Sequence, residues 1–282
     1  MFTLRGPDFL ALFTVFAVVV YFIVDALITT RESRLPSDPR IRDPYVIAYL
    51  RGAERELLRV VAMSLVMRRL LGVEGKTFLT IDRSEIDRVP SSVEQQILRL
   101  CQKPYSAPGL MGDFGFQKAA ETYRRELVRR GLIASESVKH GRWLYVFAGI
   151  ACLLAISLIK IRVAISTGHS NIGFLIIFTC VAAYVLWRRG QVHRTVAGNA
   201  ALKNLQVLFD SLRRSWWRSP KVEGPSEAAL LAAVFGVYAV QEFDSISWKR
   251  MFPDPGSSSG SGCGGGGGCG GGGGGGCGGC GS

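Results

Sequence analysis

Four cysteines near the C-terminus, Cys263, Cys269, Cys277 and Cys280, come closest to chemistry by residue type and spacing. Their pattern is C-x5-C-x7-C-x2-C, and four thiolates suffice to close a tetrahedral site around zinc or another soft metal. Only Cys277 and Cys280 show the two-residue spacing usual in metal or redox pairs. All four lie in a stretch, 256–282, that contains nothing but Gly, Ser and Cys. Closing such a chain around an ion costs much conformational entropy. The tail therefore reads first as a low-complexity, disordered extension, with thiol modification or soft-metal binding as the alternatives. A second candidate is Asp25, the one acidic residue inside a long apolar run. An intramembrane carboxylate is by default a candidate functional group, but this one falls near the end of its run, within reach of Arg31 or Arg188. An interfacial carboxylate, also within reach of water, is the simpler expectation. His140, His169 and His193 form no pair at helical metal-binding spacing. The acid groups Glu54 and Glu56, and Asp82, Glu85 and Asp87, read as solvated faces and caps. The sequence carries no P-loop, nucleophile elbow or dinucleotide fingerprint, and it offers no enzyme site.

Three apolar runs would have to position any such chemistry: Phe9 to Ile28, Trp143 to Ile159, and Ile172 to Trp187. The second extends to Ile165 if Lys160 and Arg162 snorkel. About 20 residues cross a hydrocarbon core of about 30 Å, so the runs predict three transmembrane helices. A fourth run, Ala228 to Val240, is too short and predicts a docked or interfacial helix. The formal charge is +12, with the basic residues gathered beside the runs. Arg31, Arg34, Arg40 and Arg42 follow the first, Lys139 and Arg142 precede the second, and Arg188, Arg189 and Arg194 follow the third. The positive-inside rule then puts the N-terminus outside, residues 31–142 in the cytoplasm, a short external loop between the spans in 143–187, and residues 188–255 inside. A cleaved signal peptide over residues 1–30 is the competing reading. The length of the run, its barely basic start and the lack of a small-residue cleavage site count against it. Basic charge beside spans points to a bilayer with anionic headgroups as partner, and argues against nucleic acid.

Residues 31–142 predict a small, mostly helical domain. Apolar residues recur at helical spacing from Pro44 to Leu71, with Gly52 a break between two helices. Lys76 to Ile81 alternates like a strand, Ser91 or Ser92 caps a helix to Leu100, and Phe116 to Arg130 is a helix closed by Gly131. Pro104 to Gly115 reads as loop. Helix, glycine, then strand is a winged-helix-like plan with minor β content. Beyond the third run, Arg194 to Arg218 predicts a basic amphipathic helix with Trp216 and Trp217 as interfacial anchors. Residues 220–225 are linker, and Glu227 to Phe243 is an apolar helix docked on the inner domain. The fold class is mainly α.

The segment Asp43, Pro44, Tyr45, Ala48, Tyr49, Leu50 and Gly52, read as D-P-Y-x-x-A-Y-L-R-G, together with the Gly/Cys tail, resembles an uncharacterised family of bacterial multi-pass membrane proteins. That family carries a D-P-Y-x-x-A-Y-L-x-G-G-type motif after a first span, an L-V-x-R-G-L-type helix end like that beginning at Leu127, and two further spans. This sequence departs from it in having Gly52-Ala53 where the family has two glycines, and Arg69-Leu70 where the first helix end often reads R-G. The resemblance implies the architecture and a bacterial inner-membrane location, and no activity. The function expected is a non-enzymatic structural or interaction protein presenting a cytoplasmic domain to a protein partner. The alternatives are a thiol- or metal-responsive protein acting through the tail cysteines, and an enzyme or small transporter using Asp25.

Overall fold

The computed structural model describes residues 6–34, 36–166, 173–218, 225–240, 248 and 251–252, with side chains excluded at 6–10, 164–166 and 215–218. The tail with Cys263, Cys269, Cys277 and Cys280, the 167–172 connection with His169, the 219–224 linker and the side chains of Trp216 and Trp217 lie outside the described residues.

Three helices, α1 (Gly6–Ser33), α6 (Glu136–Ser166) and α7 (Gly173–Gly190), are long and apolar enough to cross a membrane. At 1.5 Å per residue α1 measures roughly 42 Å, against about 30 Å of hydrocarbon. The helices pack around their own core of Phe13, Val20, Val24, Ile28, Val146, Leu153, Leu175 and Leu186. Their outer faces are apolar too, with Phe22 64%, Phe174 63% and Leu158 58% exposed. Gly149 permits the close approach of α1: an added Cβ would lie 3.0 Å from Val24 Cγ2. Helix α6 starts at Glu136, before the apolar run predicted from Trp143. The polar stretch Glu136 to Arg142 contains no proline, and its one glycine, Gly141, lies within the helix, so the stretch extends α6 beyond the apolar boundary.

The remaining elements build a helical domain around a second core. They are α2 (Pro44–Met67), β1 (Leu71–Glu74), β2 (Thr77–Thr80), α3 (Ser92–Leu100), β3 (Tyr105–Ser106), α4 (Ala107–Gly112), α5 (Phe114–Arg129), α8 (Val196–Arg218) and α9 (Pro225–Phe235). The strands form one antiparallel sheet in the order β1-β2-β3, with Leu71 opposite Thr80 and Phe78 opposite Tyr105. Phe78 turns inward onto Trp248 and Phe252. The stretch expected as loop, 104–115, contains β3 and α4 instead. Its Pro and Gly residues fit because the Ser106 side chain accepts from Gly109 N–H at the start of α4, where Pro stands in the first turn. Asp113 then accepts from Gly115 and Phe116 to cap α5.

The apolar helix α9 docks on α2, burying Ala228, Ala229, Leu231, Ala232, Ala233 and Val234. Each fully buried Leu or Val side chain contributes about 1.5–3 kcal/mol, so this short helix is held by packing. Residues before α6 and after α7 therefore share one core, although the sequence separates them into two regions.

Candidate functional site

The D-P-Y-x-x-A-Y-L-R-G segment forms the first arm of α2, and its residues reach toward four different parts of the fold. Asp43 caps the helix by accepting from Tyr45 N–H at 2.8 Å, with Pro44 in the first turn. The Tyr45 hydroxyl donates to Glu94, which is also paired with Arg68 at 3.1 Å. Burial, reinforced by Glu94, raises the Tyr45 phenol far above its ordinary pKa. Ala48, Tyr49 and Leu50 are buried, and burial with Glu54 nearby pushes Tyr49 up to about 12. The Leu50 carbonyl accepts from His193 Nε2 at 3.2 Å. Arg51 donates to the Ala232 carbonyl of α9 at 3.1 Å and pairs with Glu56 at 2.8 Å.

Helix α2 then kinks. Gly52 has φ −157° and ψ 31°, and Ala53 has φ 56° and ψ −147°, so Gly52 does separate two helical arms, as its position in the pattern predicts. A Cβ on Gly52 would fall 2.3 Å from Glu56 Cγ. The missing side chain is the space Glu56 occupies. Glu56 was expected on a solvated face, but it is 9% exposed and bridges Arg51 and Arg59, the latter at 2.6 Å. The kink turns it inward between the two guanidinium groups. Arg59 also donates to the Phe252 carbonyl at 2.9 Å, tying the C-terminal part of the core to α2.

A second cluster joins the domain to the three-helix bundle. Glu32 at the end of α1 and Arg142 in α6 form an ion pair whose side chains are 3% and 1% exposed. Glu32 Oε1 accepts from Arg142 Nη2 at 2.5 Å and Nε at 3.0 Å, and Glu32 Oε2 accepts from Val196 N–H at 3.1 Å, at the start of α8. Arg142 also donates to the carbonyls of Val192 and Arg194. The chain leaving α7 is thus held on one side by a charge pair. On the other it meets the residues after α5: Ala134 N–H donates to His193 O, Thr195 N–H to Leu132 O, and Ile133 bridges Arg194. Gly198 completes the fit, since a Cβ there would lie 2.1 Å from Leu132 O. Burial, opposed by the Leu50 hydrogen bond and aided by Arg194, Arg142 and Lys139, lowers the His193 pKa.

From the sequence Arg142 reads only as one of the flanking charges, and nothing singles out Glu32. The available signal was an acid flanked by Arg31 and Arg34, matched by an arginine just before the second apolar run. Asp25 pairs with Arg189 at 2.5 Å, and not with Arg31 or Arg188. Successive residues of a helix differ by about 100° in direction, so of two adjacent arginines one faces α1. Asp82 accepts from Ser84 N–H at 2.8 Å and from the Ser84 hydroxyl at 2.7 Å, closing a local turn and capping no helix. Asp87 and Glu85 are surface acids paired with Arg99 and Arg88. His140 is exposed, with Nδ1 2.8 Å from the Glu136 carbonyl. Cys101 is wholly buried, and burial pushes its thiol up to about 12. Cys152 and Cys180 lie exposed on the span-length helices.

The arrangement orients and holds: both oxygens of Glu32 and the guanidinium of Arg142 are engaged within the chain. No family model, curated protein or solved structure matches this chain.

Proposed function

We propose that the chain is a non-enzymatic structural or interaction protein of the bacterial inner membrane that presents its helical domain to a protein partner in the cytoplasm. The observation that carries this reading is the buried Glu32–Arg142 pair, which binds the start of α8 and fixes the domain to the bundle. A domain held in one orientation beside a bilayer suits docking. The apolar outer faces of α1, α6 and α7 support the membrane part, because soluble surfaces rarely expose large apolar patches. The Lys and Arg distribution supports N-terminus outside and domain inside. Away from the spans, Phe114 is 78% and Ile81 62% exposed, as anchors of an interface would be.

Affinity capture from gently solubilised membranes tests the proposal. A stoichiometric protein partner retained by wild type and lost with Phe114→Asp or Ile81→Asp is expected, and repeated clean capture of the chain alone would count heavily against it. Orientation is tested by labelling intact cells with a membrane-impermeant thiol reagent. Ser170→Cys should label and Lys118→Cys should not; the reverse would overturn the topology. Cys101 is unsuited to this assay because it is buried.

The family resemblance is part of the same proposal. Its support is that the second glycine of the family motif falls on Ala53, the residue at φ 56°. On this reading the domain follows a winged-helix-like plan with minor β content, and the Gly/Ser/Cys tail is a cytoplasmic extension. Asp25, already paired with Arg189, lends no support to transport or catalysis.

A further inference from the structure

The end of the bundle that meets the domain is marked by aromatic side chains and arginines. Trp143 and Trp187 stack edge to face at 4.6 Å, with Phe147 5.3 Å from Trp143. Trp and Tyr collect where hydrocarbon gives way to headgroups. At this level Arg142 is paired with Glu32 and Arg189 with Asp25. Arg31 differs. It is exposed, its guanidinium lies over the Tyr145 ring at 5.9 Å, and among the described residues it has no carboxylate partner. It also has a dedicated place on α6: a Cβ on Gly141 would fall 2.8 Å from Arg31 Nη1 and 2.9 Å from Cζ. The glycine makes room for the guanidinium, and the tyrosine ring holds it. Four and eight residues back on the same face of α1 are Leu27 and Ile23, 46% and 53% exposed. On α6, Ala148 and Cys152 follow Tyr145 and are exposed as well.

We infer that Arg31, positioned by Tyr145 and Gly141, is a binding site for the phosphate of one anionic phospholipid in the leaflet next to the domain, with an acyl chain running along Leu27 and Ile23. A guanidinium presents a planar fork of N–H donors that matches phosphate oxygens. One already fixed in place loses little entropy when it binds. The apolar stripe beneath it selects a lipid phosphate over a free one. The inference rests on the reading that α1, α6 and α7 cross a bilayer, and it adds to that reading a defined partner at a defined place.

The test uses the full chain in mild detergent, offered an equimolar mixture of phosphatidylglycerol and phosphatidylcholine, with bound lipid read by native mass spectrometry. Wild type should retain one phosphatidylglycerol per chain. Arg31→Gln should lower that preference about tenfold, the loss of a charge-assisted hydrogen bond. Gly141→Ala should lower it too, because it displaces the guanidinium and keeps the charge. Arg34→Gln, which removes a nearby exposed charge, should leave it unchanged. An undiminished preference in Arg31→Gln, or an equal loss in Arg34→Gln, overturns the site in favour of diffuse charge attraction. Displacement of the lipid by millimolar inorganic phosphate overturns the lipid assignment. Carbonate washing of membranes separates the two readings. Extraction of wild type would defeat the membrane reading itself, whereas an integral protein without lipid preference defeats only the site.

Discussion

The kink in α2 gives the sharpest prediction, because two adjacent residues there should respond to mutation in opposite directions. Ala53 has φ 56° and ψ −147°, a backbone region that is essentially glycine-only and costs other residues about 1–3 kcal/mol. Ala53→Gly removes that strain and adds unfolded-chain entropy worth about 0.5–1 kcal/mol. The net expectation is a stabilisation of up to about 2.5 kcal/mol. Gly52 lies at φ −157° and ψ 31°, without a positive φ, and its constraint is the space beside it. Gly52→Ala would put a Cβ 2.3 Å from Glu56 Cγ and push Glu56 from between Arg51 and Arg59. That should destabilise by at least the roughly 1–3 kcal/mol of a charged hydrogen bond lost in a buried setting. Thermal unfolding of the full chain at fixed detergent concentration, followed by circular dichroism, reads both effects. For a chain of this size each kcal/mol moves Tm by about 2–4 °C. Ala53→Gly should melt above wild type and Gly52→Ala below it. An Ala53→Gly protein that melts at or below wild type would refute the positive φ at this residue and the reason given for the kink.

Arg142→Met leaves Glu32 buried without its partner and should cost about 3–5 kcal/mol, seen as a large fall in Tm. Adding Glu32→Gln should recover part of that loss, since an amide oxygen can still accept from Val196 N–H. His193 has a folded pKa below its ordinary value of 6.5, so the unfolded chain takes up a proton first as pH falls. Stability should be complete above about pH 6.5 and decline below it through the folded pKa; His193→Gln should flatten that part of a Tm-against-pH curve. Cys101, buried with its thiol near 12, should resist maleimide at pH 8 until denaturant is added. Prompt labelling in the native state would contradict its burial.

Periodicity and hydropathy by themselves determined the span-length helices, the break at Gly52, the strand around Phe78 and the docked rather than spanning nature of α9. These depend on local pattern: a helix long enough to cross hydrocarbon, or a strand with one buried face, is written in consecutive residues. The loop expected over 104–115 failed because Pro and Gly discourage helix in general, while Ser106 and Asp113 supply the specific caps that permit short helices there. Tertiary structure alone decided which charges matter. Glu32 and Arg142 are 110 positions apart, and only the packing of α1 against α6 brings them together. The same holds for Glu56, whose local pattern reads as surface until the kink and Arg59 enclose it. Glu94 is buried because α3 packs against α2 and α5, where Tyr45 and Arg68 meet it, a contact no local pattern announces. Charge composition could suggest a lipid-facing, basic protein; it could not say that Arg31 would lie over the Tyr145 ring while Arg142 and Arg189 were each claimed by a carboxylate. That selection is made by helix rotation and packing, which a linear sequence does not encode residue by residue.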